Sequence, residues 1–232
     1  MKRLVILAVA IALSACRPAE SATQSAASAA AATSQQRTAP ADPAAEALLE
    51  RADKSRIQGD STALIWIVEV SDFQCPYCKM WHDSTYATIK REFIATGQVR
   101  LAYVNYPIQT HANAVPAAKA AMCAGVQDKF WAMHDALFKS QETWAPLADA
   151  SATFESLALK VGIKLPEWRT CVNGEVMQRL INADRQRGTS AGVNSTPYFF
   201  VGDEAIRGAA PASAFREAIQ RAREKAAART RR

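Results

Sequence analysis

The sequence lacks the paired ligand motifs of a structural zinc site. It contains 5 cysteines and 3 histidines, and only Cys75 and Cys78 are closely spaced. A structural zinc site usually needs a second closely spaced pair of Cys or His ligands. Cys123 and Cys171 stand alone, and the histidines show no ligand spacing. We therefore expect no resident metal ion.

The sequence also lacks an apolar run long enough to cross a bilayer permanently. Residues 4–13 are apolar but too few for a transmembrane helix. They follow Lys2 and Arg3 and end in "LSAC", which is typical of a signal peptide over residues 1–15. The ending resembles a bacterial lipobox, which implies cleavage before Cys16 and lipidation of its thiol. The alternative is an ordinary cleaved signal with Cys16 nearby by accident.

Both alternatives export the protein to a compartment where disulfides persist. The lipobox predicts the periplasmic side of the bacterial envelope and a lipid anchor in a membrane. Residues 16–43 are rich in Ala, Ser and Pro and carry few bulky apolar side chains, so we predict a disordered linker. Such a linker has a typical end-to-end distance of roughly 30 Å.

Charge is not concentrated enough to indicate a nucleic-acid site. The formal net charge of +6 falls to +4 when Lys2 and Arg3 leave with the signal peptide. Much of the excess lies in the last dozen residues, where a basic helix end is usually solvated. We therefore predict no nucleic-acid partner.

Hydrophobic patterns predict one domain over residues 44–230 in which strands and helices alternate. The order is strand, helix, strand, a block of helices, a hairpin and a final helix. This order predicts an α/β fold with an all-helical insertion at about 112–188. The predicted strands are 63–70, 99–107 and a hairpin joined through Gly202 and Asp203; the predicted helices are 44–54, 76–95, 115–125, 129–139, 153–161, 175–187 and one from Pro211.

The stretch "SDFQCPYCKMWHD" places two cysteines at the start of the second predicted helix. Pro76 suits the first helical position, so the helix N–H groups and dipole favour the thiolate of Cys75. Cys78 lies one turn later, near enough for a disulfide, and can resolve a mixed disulfide formed at Cys75. A purely structural bridge here would close too small a loop to stabilise much.

Three blocks, "VEVSDFQCPYC", "AAMCAGVQDKFWAMHDALF" and "AGVNSTPYFFVG", resemble the DsbA-like thiol-disulfide oxidoreductases of the thioredoxin superfamily. The resemblance runs from about residue 59 to the final helix. It implies a thioredoxin fold, with a central mixed sheet flanked by helices and an all-helical insertion. It also implies that Cys75 is the nucleophile and Cys78 the resolving cysteine, with no cofactor.

The resemblance implies roles for further positions near the cysteines. Thr196 and Pro197 match the family's cis-proline loop, whose backbone pairs with an extended substrate peptide. Pro76 and Tyr77 form the dipeptide that tunes the redox potential and borders the substrate.

Glu69 matches the family's buried acid. A desolvated carboxyl would stay protonated near neutrality and could exchange a proton with Cys78. The alternative is that Glu69 points outward from the sheet edge.

Other conspicuous residues receive structural interpretations. Similar family members carry cysteines at the positions of Cys123 and Cys171, and a bond between them would constrain the unfolded chain by roughly 4 kcal/mol. The alternative is two separately buried thiols. We expect His82 to be a surface helix residue, and His111 and His134 to cap or support helices.

These patterns predict a monomeric oxidoreductase that acts on cysteines of other envelope proteins. They favour an oxidase over a reductase or an isomerase. A membrane or small-molecule oxidant would recycle it. A reductase or isomerase would use the same pair, but an isomerase of the dimeric type needs an N-terminal dimerisation domain that the linker leaves no room for. An alternative of another class is a copper-binding chaperone with Cys75, Cys78 and Met80 as soft ligands.

Overall fold

A single mixed β-sheet forms the centre of the fold. The computed structural model describes residues 42–230. The strand order is β1-β3-β2-β4-β5; β2 and β3 are parallel, and the other neighbours are antiparallel. The strands are β1 (Ile57–Gln58), β2 (Ile65–Ser71), β3 (Val99–Asn105), β4 (Tyr198–Val201) and β5 (Glu204–Arg207).

The helix after β2 is longer than its first regular segment. It begins at Pro76 and continues through two π-helical stretches, His82–Tyr86 and Lys90–Ile94, so that residues 76–94 form one helical body, the CPYC helix. The regular helices are α1 (Pro43–Ser55), α2 (Pro76–Trp81), α3 (Ala87–Ile89), α4 (Ala114–Gly125), α5 (Phe130–Lys139), α6 (Gln141–Trp144), α7 (Ser151–Lys160), α8 (Leu165–Asn173), α9 (Val176–Ser190) and α10 (Ala212–Thr230).

Two large hydrophobic clusters divide the core between the sheet and the insertion. The first packs the CPYC helix and α10 on one face of the sheet, with Trp81, Phe199 and Phe215 fully buried. The second lies inside the helices of 114–190 and includes Phe73 from the loop before the CPYC helix. Residues 72–75, which we call the redox loop, therefore lie where the two clusters meet.

The predicted thioredoxin fold with a helical insertion is confirmed, and the differences are local. The sequence patterns missed β1, α6 and α8; β1 and α6 are too short for a periodic signal, and α8 buries Trp168 alone. Strand β3 ends at Asn105, two residues before the predicted end. Helix α1 starts at Pro43, inside the predicted linker, because the Asp42 side chain accepts from the backbone N–H of Ala44 and caps it.

The predicted signal peptide, the lipidation site at Cys16 and almost all of the predicted linker lie outside the described residues. Within residues 42–230, no helix is both long and apolar enough to cross a membrane.

Candidate active site

Cys75 occupies the position that begins the CPYC helix. Its backbone is extended, with φ −71° and ψ 124°, and Pro76 follows as the first helical residue. The Cys75 carbonyl accepts from the backbone N–H groups of Cys78 and Lys79, both at 3.1 Å. The Cys75 sulfur also lies beside the backbone N–H groups of Tyr77 and Cys78 in the first helical turn.

The two sulfurs of the pair are both free thiols, and they differ sharply in acidity. The hydrogen bond from Cys78, the contact with Thr196 and the nearby N–H groups of Cys78 and Tyr77 lower the pKa of Cys75 to about 6, despite the burial of its side chain. Burial, together with the neighbouring Cys75 sulfur, raises the pKa of Cys78 well above its usual value. At neutral pH the pair therefore holds one thiolate, on Cys75, and one thiol, on Cys78.

The segment before β4 lies against the Cys75 sulfur. The Thr196–Pro197 peptide bond is cis, and the Cys75 Sγ contacts the Thr196 carbonyl oxygen at 3.5 Å. Thr196 and Pro197 are buried, whereas Pro76 and Tyr77 are exposed, Tyr77 by 60%. The structure thus brings these four predicted residues around one sulfur, with Pro76 and Tyr77 on its solvent side.

The helical insertion holds the redox loop in place through side-chain amides. Gln141, on α6, donates from Nε2 to the carbonyl oxygens of Phe73 (2.6 Å) and Cys75 (3.0 Å). Gln74 donates to the Ala145 carbonyl at 2.9 Å and accepts from the Asn113 N–H at 2.7 Å. Sequence reasoning missed Gln141, because a lone glutamine in a four-residue helix gives no periodic or motif signal.

A second support of the loop is the buried carboxylate of Asp72. It accepts hydrogen bonds from the Ile108 N–H (2.9 Å), the Gln74 N–H (2.7 Å) and the His111 ring (2.7 Å for Nδ1). Burial raises the pKa of Asp72 in spite of these bonds. His111 therefore supports the loop ahead of the CPYC helix.

Glu69 is fully buried in the centre of the sheet, so the outward-pointing alternative is wrong. It lies in β2 between Tyr103 of β3 and Phe199 of β4. Within residues 42–230 neither carboxyl oxygen has a hydrogen bond of ordinary geometry, and Ser71 is the polar side chain that acts on it. Burial raises the pKa of Glu69 to about 8, so the carboxyl is mainly protonated at neutral pH.

A row of aromatic rings connects the two strand neighbours of Glu69, Tyr103 and Phe199. We call this row the aromatic cage. Consecutive rings lie 4.6–5.7 Å apart between centroids, from Tyr103 over three rings to Phe199. In the described chain, the Tyr103 hydroxyl, the Trp81 Nε1 and the His134 Nε2 are buried without partners. The cage consists of Trp81, Tyr86, Tyr103, His134 and Phe199.

His82 is buried, with 7% of its surface exposed, so the predicted surface position is wrong. It lies four residues after Cys78 and therefore on the same, inward side of the CPYC helix. Its ring lies 5.5 Å from that of Tyr86 and 5.4 Å from that of His134, which is fully buried. A single histidine followed by polar residues gives no sequence signal for this burial.

The other sulfur-containing side chains singled out in the sequence are Cys123, Cys171 and Met80. Cys123 on α4 and Cys171 on α8 form a disulfide, with Cα atoms 5.7 Å apart. Met80 is 53% exposed, whereas Cys78 is fully buried, so the two side chains face opposite environments.

Comparisons with known proteins agree with this geometry. The family model described as "Thioredoxin" matches residues 51–221. The chain is 28% identical over 153 residues to a probable disulfide bond formation protein D of Bacillus anthracis, covering 62% of this chain and 67% of that protein. The corresponding protein of Bacillus subtilis is 23% identical over 167 residues, 71% of this chain and 75% of the relative.

Solved structures show the same fold. Alpha-DsbA1 of Wolbachia pipientis has a TM-score of 0.67 at 21% identity, covering 75% of this chain and 94% of its own. Oxidised BdbD of Bacillus subtilis has a TM-score of 0.66 at 24% identity, with coverages of 73% and 93%. The chain therefore belongs to the thioredoxin family, and the resemblance to its DsbA-like thiol-disulfide oxidoreductases, predicted from three sequence blocks, is confirmed.

Proposed function

We propose that the protein exchanges disulfides with cysteines of other envelope proteins through Cys75 and Cys78, and that it works mainly as an oxidase. The observation that carries this proposal is the opposed acidity of the two sulfurs, with the pKa of Cys75 lowered to about 6 and that of Cys78 raised. A stabilised Cys75 thiolate favours the reduced form, which makes the disulfide form a strong oxidant.

The reaction follows from the positions of the two sulfurs. A substrate thiolate attacks Cys75 Sγ of the oxidised pair, the bond between the two sulfurs breaks, and Cys78 leaves as a thiolate. Glu69 gives this thiolate its proton. A second substrate thiolate then attacks the substrate sulfur of the mixed disulfide, and Cys75 leaves as its stabilised thiolate. Two electrons pass from the substrate dithiol to the enzyme pair.

The cis Thr196–Pro197 segment supports a role in substrate binding. Its backbone lies against the Cys75 sulfur, where an extended peptide could pair with it. Exposed Tyr77 and Pro76 flank the same sulfur on the solvent side and would contact the residues around the substrate cysteine.

We also propose an envelope location and a redox recycling partner, either a membrane oxidase or a small-molecule oxidant. The names of the Bacillus relatives, which refer to disulfide bond formation, support this setting. The sequence at Cys16 supports a lipid anchor, and a monomer is the proposed state. Mass spectrometry of the protein from bacterial membranes tests the anchor, because lipidation adds mass to the N-terminal peptide.

The direction of exchange is tested by equilibrating the pair with glutathione buffers. A reduction potential near −120 mV supports an oxidase, whereas a value near −270 mV would identify a reductase. Cys75→Ser should abolish the oxidation of a reduced, unfolded test protein, and Cys78→Ser should trap mixed disulfides at Cys75. Equal activity of Cys75→Ser and the parent would remove the proposal's basis.

Metal analysis separates this function from copper handling. Protein purified without added copper should contain none, whereas a chaperone should retain stoichiometric Cu(I).

A further inference from the structure

His82 and Cys78 occupy the same side of the CPYC helix, facing the sheet. The backbone N–H of His82 donates to the Cys78 carbonyl, one helical turn earlier. Both side chains are buried, at 7% and 0% exposure. This side packs on the sheet face that carries Glu69, because the Trp81 ring lies 4.6 Å from the ring of Phe199, the neighbour of Glu69 in β4.

Two carboxylates flank the His82 ring. Nδ1 lies 2.9 Å from Asp83 Oδ1, and Nε2 lies 3.4 Å from Asp135 Oδ1. A neutral imidazole has a single N–H, so only the imidazolium can donate to both carboxylates. Burial opposes this charge, but the two carboxylates outweigh it and raise the pKa of His82. The two contacts and the raised pKa therefore both favour the charged form of the buried His82 ring.

The other titratable groups around His82 come from three elements. In this set, Glu69 is the acidic group without a basic partner in hydrogen-bond contact in the described chain: Asp83 accepts from Lys79, Asp135 contacts two histidines, and the polar neighbour of Glu69 is Ser71. The groups are Asp83, Lys79, Tyr86 and Lys90 on the CPYC helix, His134 and Asp135 on α5, and Glu69 and Tyr103 on the sheet.

The neighbouring rings do not supply a competing positive charge. Burial lowers the pKa of His134 to about 4, so this ring is neutral at physiological pH. Burial also raises the pKa of Tyr86 and Tyr103, which stay uncharged. His82 is thus the ring near Glu69 that favours the charged form, and a positive charge on it works against the effect of burial on the Glu69 carboxyl.

We propose that the His82 imidazolium, held by Asp83 and Asp135, is the counter-charge that stabilises the Glu69 carboxylate when Glu69 gives its proton to the Cys78 thiolate. In this step the Glu69 O–H bond breaks and the Cys78 S–H bond forms, while His82 keeps its proton. His82 is a positioning residue, since it acts through Glu69. The inference rests on the proposed function.

The direct test is the titration of Glu69 in the full-length reduced protein. Infrared spectroscopy follows the protonated carboxyl band, which is assigned by its loss in Glu69→Gln. In His82→Gln the Glu69 midpoint should rise by about one pH unit above that of the parent. His82→Lys, which keeps a cation at this position, should restore the parental midpoint at least in part.

A reciprocal measurement protects the test against misfolding of the His82 variants. Coupling between two sites is mutual, so removing the Glu69 charge should lower the pKa of the His82 imidazole. NMR titration of His82 in Glu69→Gln and in the parent, extended to pH values at which Glu69 is ionised in the parent, measures this change. An unchanged Glu69 midpoint in folded His82→Gln, or an unchanged His82 titration in Glu69→Gln, would overturn the proposal.

Two controls separate the counter-charge role of His82 from a metal site and from the exchange reaction itself. Dialysis of the parent against a chelator should leave both titrations unchanged, and a change would assign His82, His134 and Asp135 to a metal site instead. Exchange activity that survives in Cys75→Ser would refute the proposed function alone, because the Glu69 and His82 titrations do not depend on that sulfur acting as nucleophile.

Discussion

Gln141 donates a hydrogen bond to the carbonyl oxygen of Cys75 at 3.0 Å, and the same nitrogen donates to Phe73. These bonds join a helix of the insertion to the backbone of the redox loop. The Cys75 carbonyl also accepts from two N–H groups of the CPYC helix. The insertion therefore helps to hold the backbone that carries the nucleophilic sulfur.

Replacing Gln141 with leucine should weaken both the fold and the thiolate. The change removes the donor and leaves two buried carbonyls with fewer partners, which we expect to cost about 1–3 kcal/mol of unfolding free energy. Without the donor, the negative end of the Cys75 carbonyl is less neutralised, so the pKa of Cys75 should rise. Urea unfolding and the ultraviolet absorbance of the thiolate against pH measure the two effects.

Gln127→Leu is the matched control for this experiment. Gln127 also bridges backbone groups, donating to and accepting from Lys164 at 3.0 and 2.9 Å, but within the insertion and away from the redox loop. It should lower stability and leave the Cys75 titration unchanged. An equal shift of the Cys75 pKa in both variants would show that Gln141 has no specific role.

The alkylation rate of Cys75 in the reduced protein should rise through about pH 6 and then level off. The pKa of Cys75 is lowered to about 6 by the hydrogen bond from Cys78 and by the helix N–H groups, and the thiolate is the reactive form. Iodoacetamide labelling followed by mass spectrometry checks this profile, with Cys75→Ser as the blank. A midpoint near that of an ordinary thiol, about 8.5, would contradict it.

The lowered pKa of Cys75 should also make the stability of the reduced protein depend on pH. A pKa that is lower in the folded than in the unfolded protein contributes stability that is fully present above the unfolded value and is lost as pH falls through the folded value. The reduced protein should therefore lose this contribution between about pH 9 and pH 6 as the solution is acidified. Urea unfolding of the reduced parent and of reduced Cys75→Ser at several pH values isolates the contribution, and parallel pH profiles would contradict it.

The disulfide between Cys123 and Cys171 should stabilise the insertion without serving in exchange. It closes a loop over a sequence separation of 48 residues, which in the chain-entropy account corresponds to about 4 kcal/mol. The double variant Cys123→Ala/Cys171→Ala should lose roughly that much unfolding free energy. It should keep the Cys75 titration and the ability to oxidise a test protein, and loss of the latter in a folded variant would refute a purely structural role.

The fold was predictable because its signals are local and repeated. The apolar run of β2 and the helical period after Pro76 each predict their element, and three motif blocks in order indicate the family. The positions of Cys75 and Pro76 at the helix start follow from the sequence alone. The burial of Glu69 was expected from the family resemblance, whereas the apolar run alone left an outward-pointing side chain open.

The surroundings of the site were not predictable, because they depend on contacts between distant segments. His82 is followed by three polar positions in the sequence, yet packing of α5 against the CPYC helix buries it beside Asp135, 53 positions away. Gln141 reaches Cys75 from 66 positions away. Such pairings are set by how the insertion docks on the sheet, and no period or motif in one segment encodes them.

A last prediction concerns the buried ion pair of Arg56 and Asp184. The two side chains are 5% and 0% exposed, and their contact joins the residue after α1 to α9. Asp184 also accepts from the backbone N–H and the side-chain amide of Asn105, both at 3.1 Å, at the end of β3. Strands β2 and β3 are paired up to Ser71 and Asn105. The Arg56–Asp184 ion pair therefore stabilises the strand ends that lead into the redox loop.

Arg56→Met should cost about 3–5 kcal/mol of unfolding free energy, because it removes the buried cation and leaves the buried Asp184 carboxylate to the largely exposed Arg187, whose Nη1 lies 3.2 Å from Asp184 Oδ1. Adding Asp184→Asn should recover part of that loss, since the amide is neutral and its oxygen can still accept from Asn105. Arg51→Met is the control, because the Arg51–Asp128 pair is 56% and 71% exposed and should be worth at most about 1 kcal/mol. Urea unfolding of the oxidised proteins measures all three, and a double variant less stable than Arg56→Met alone would show that the buried charge is not what destabilises the single variant.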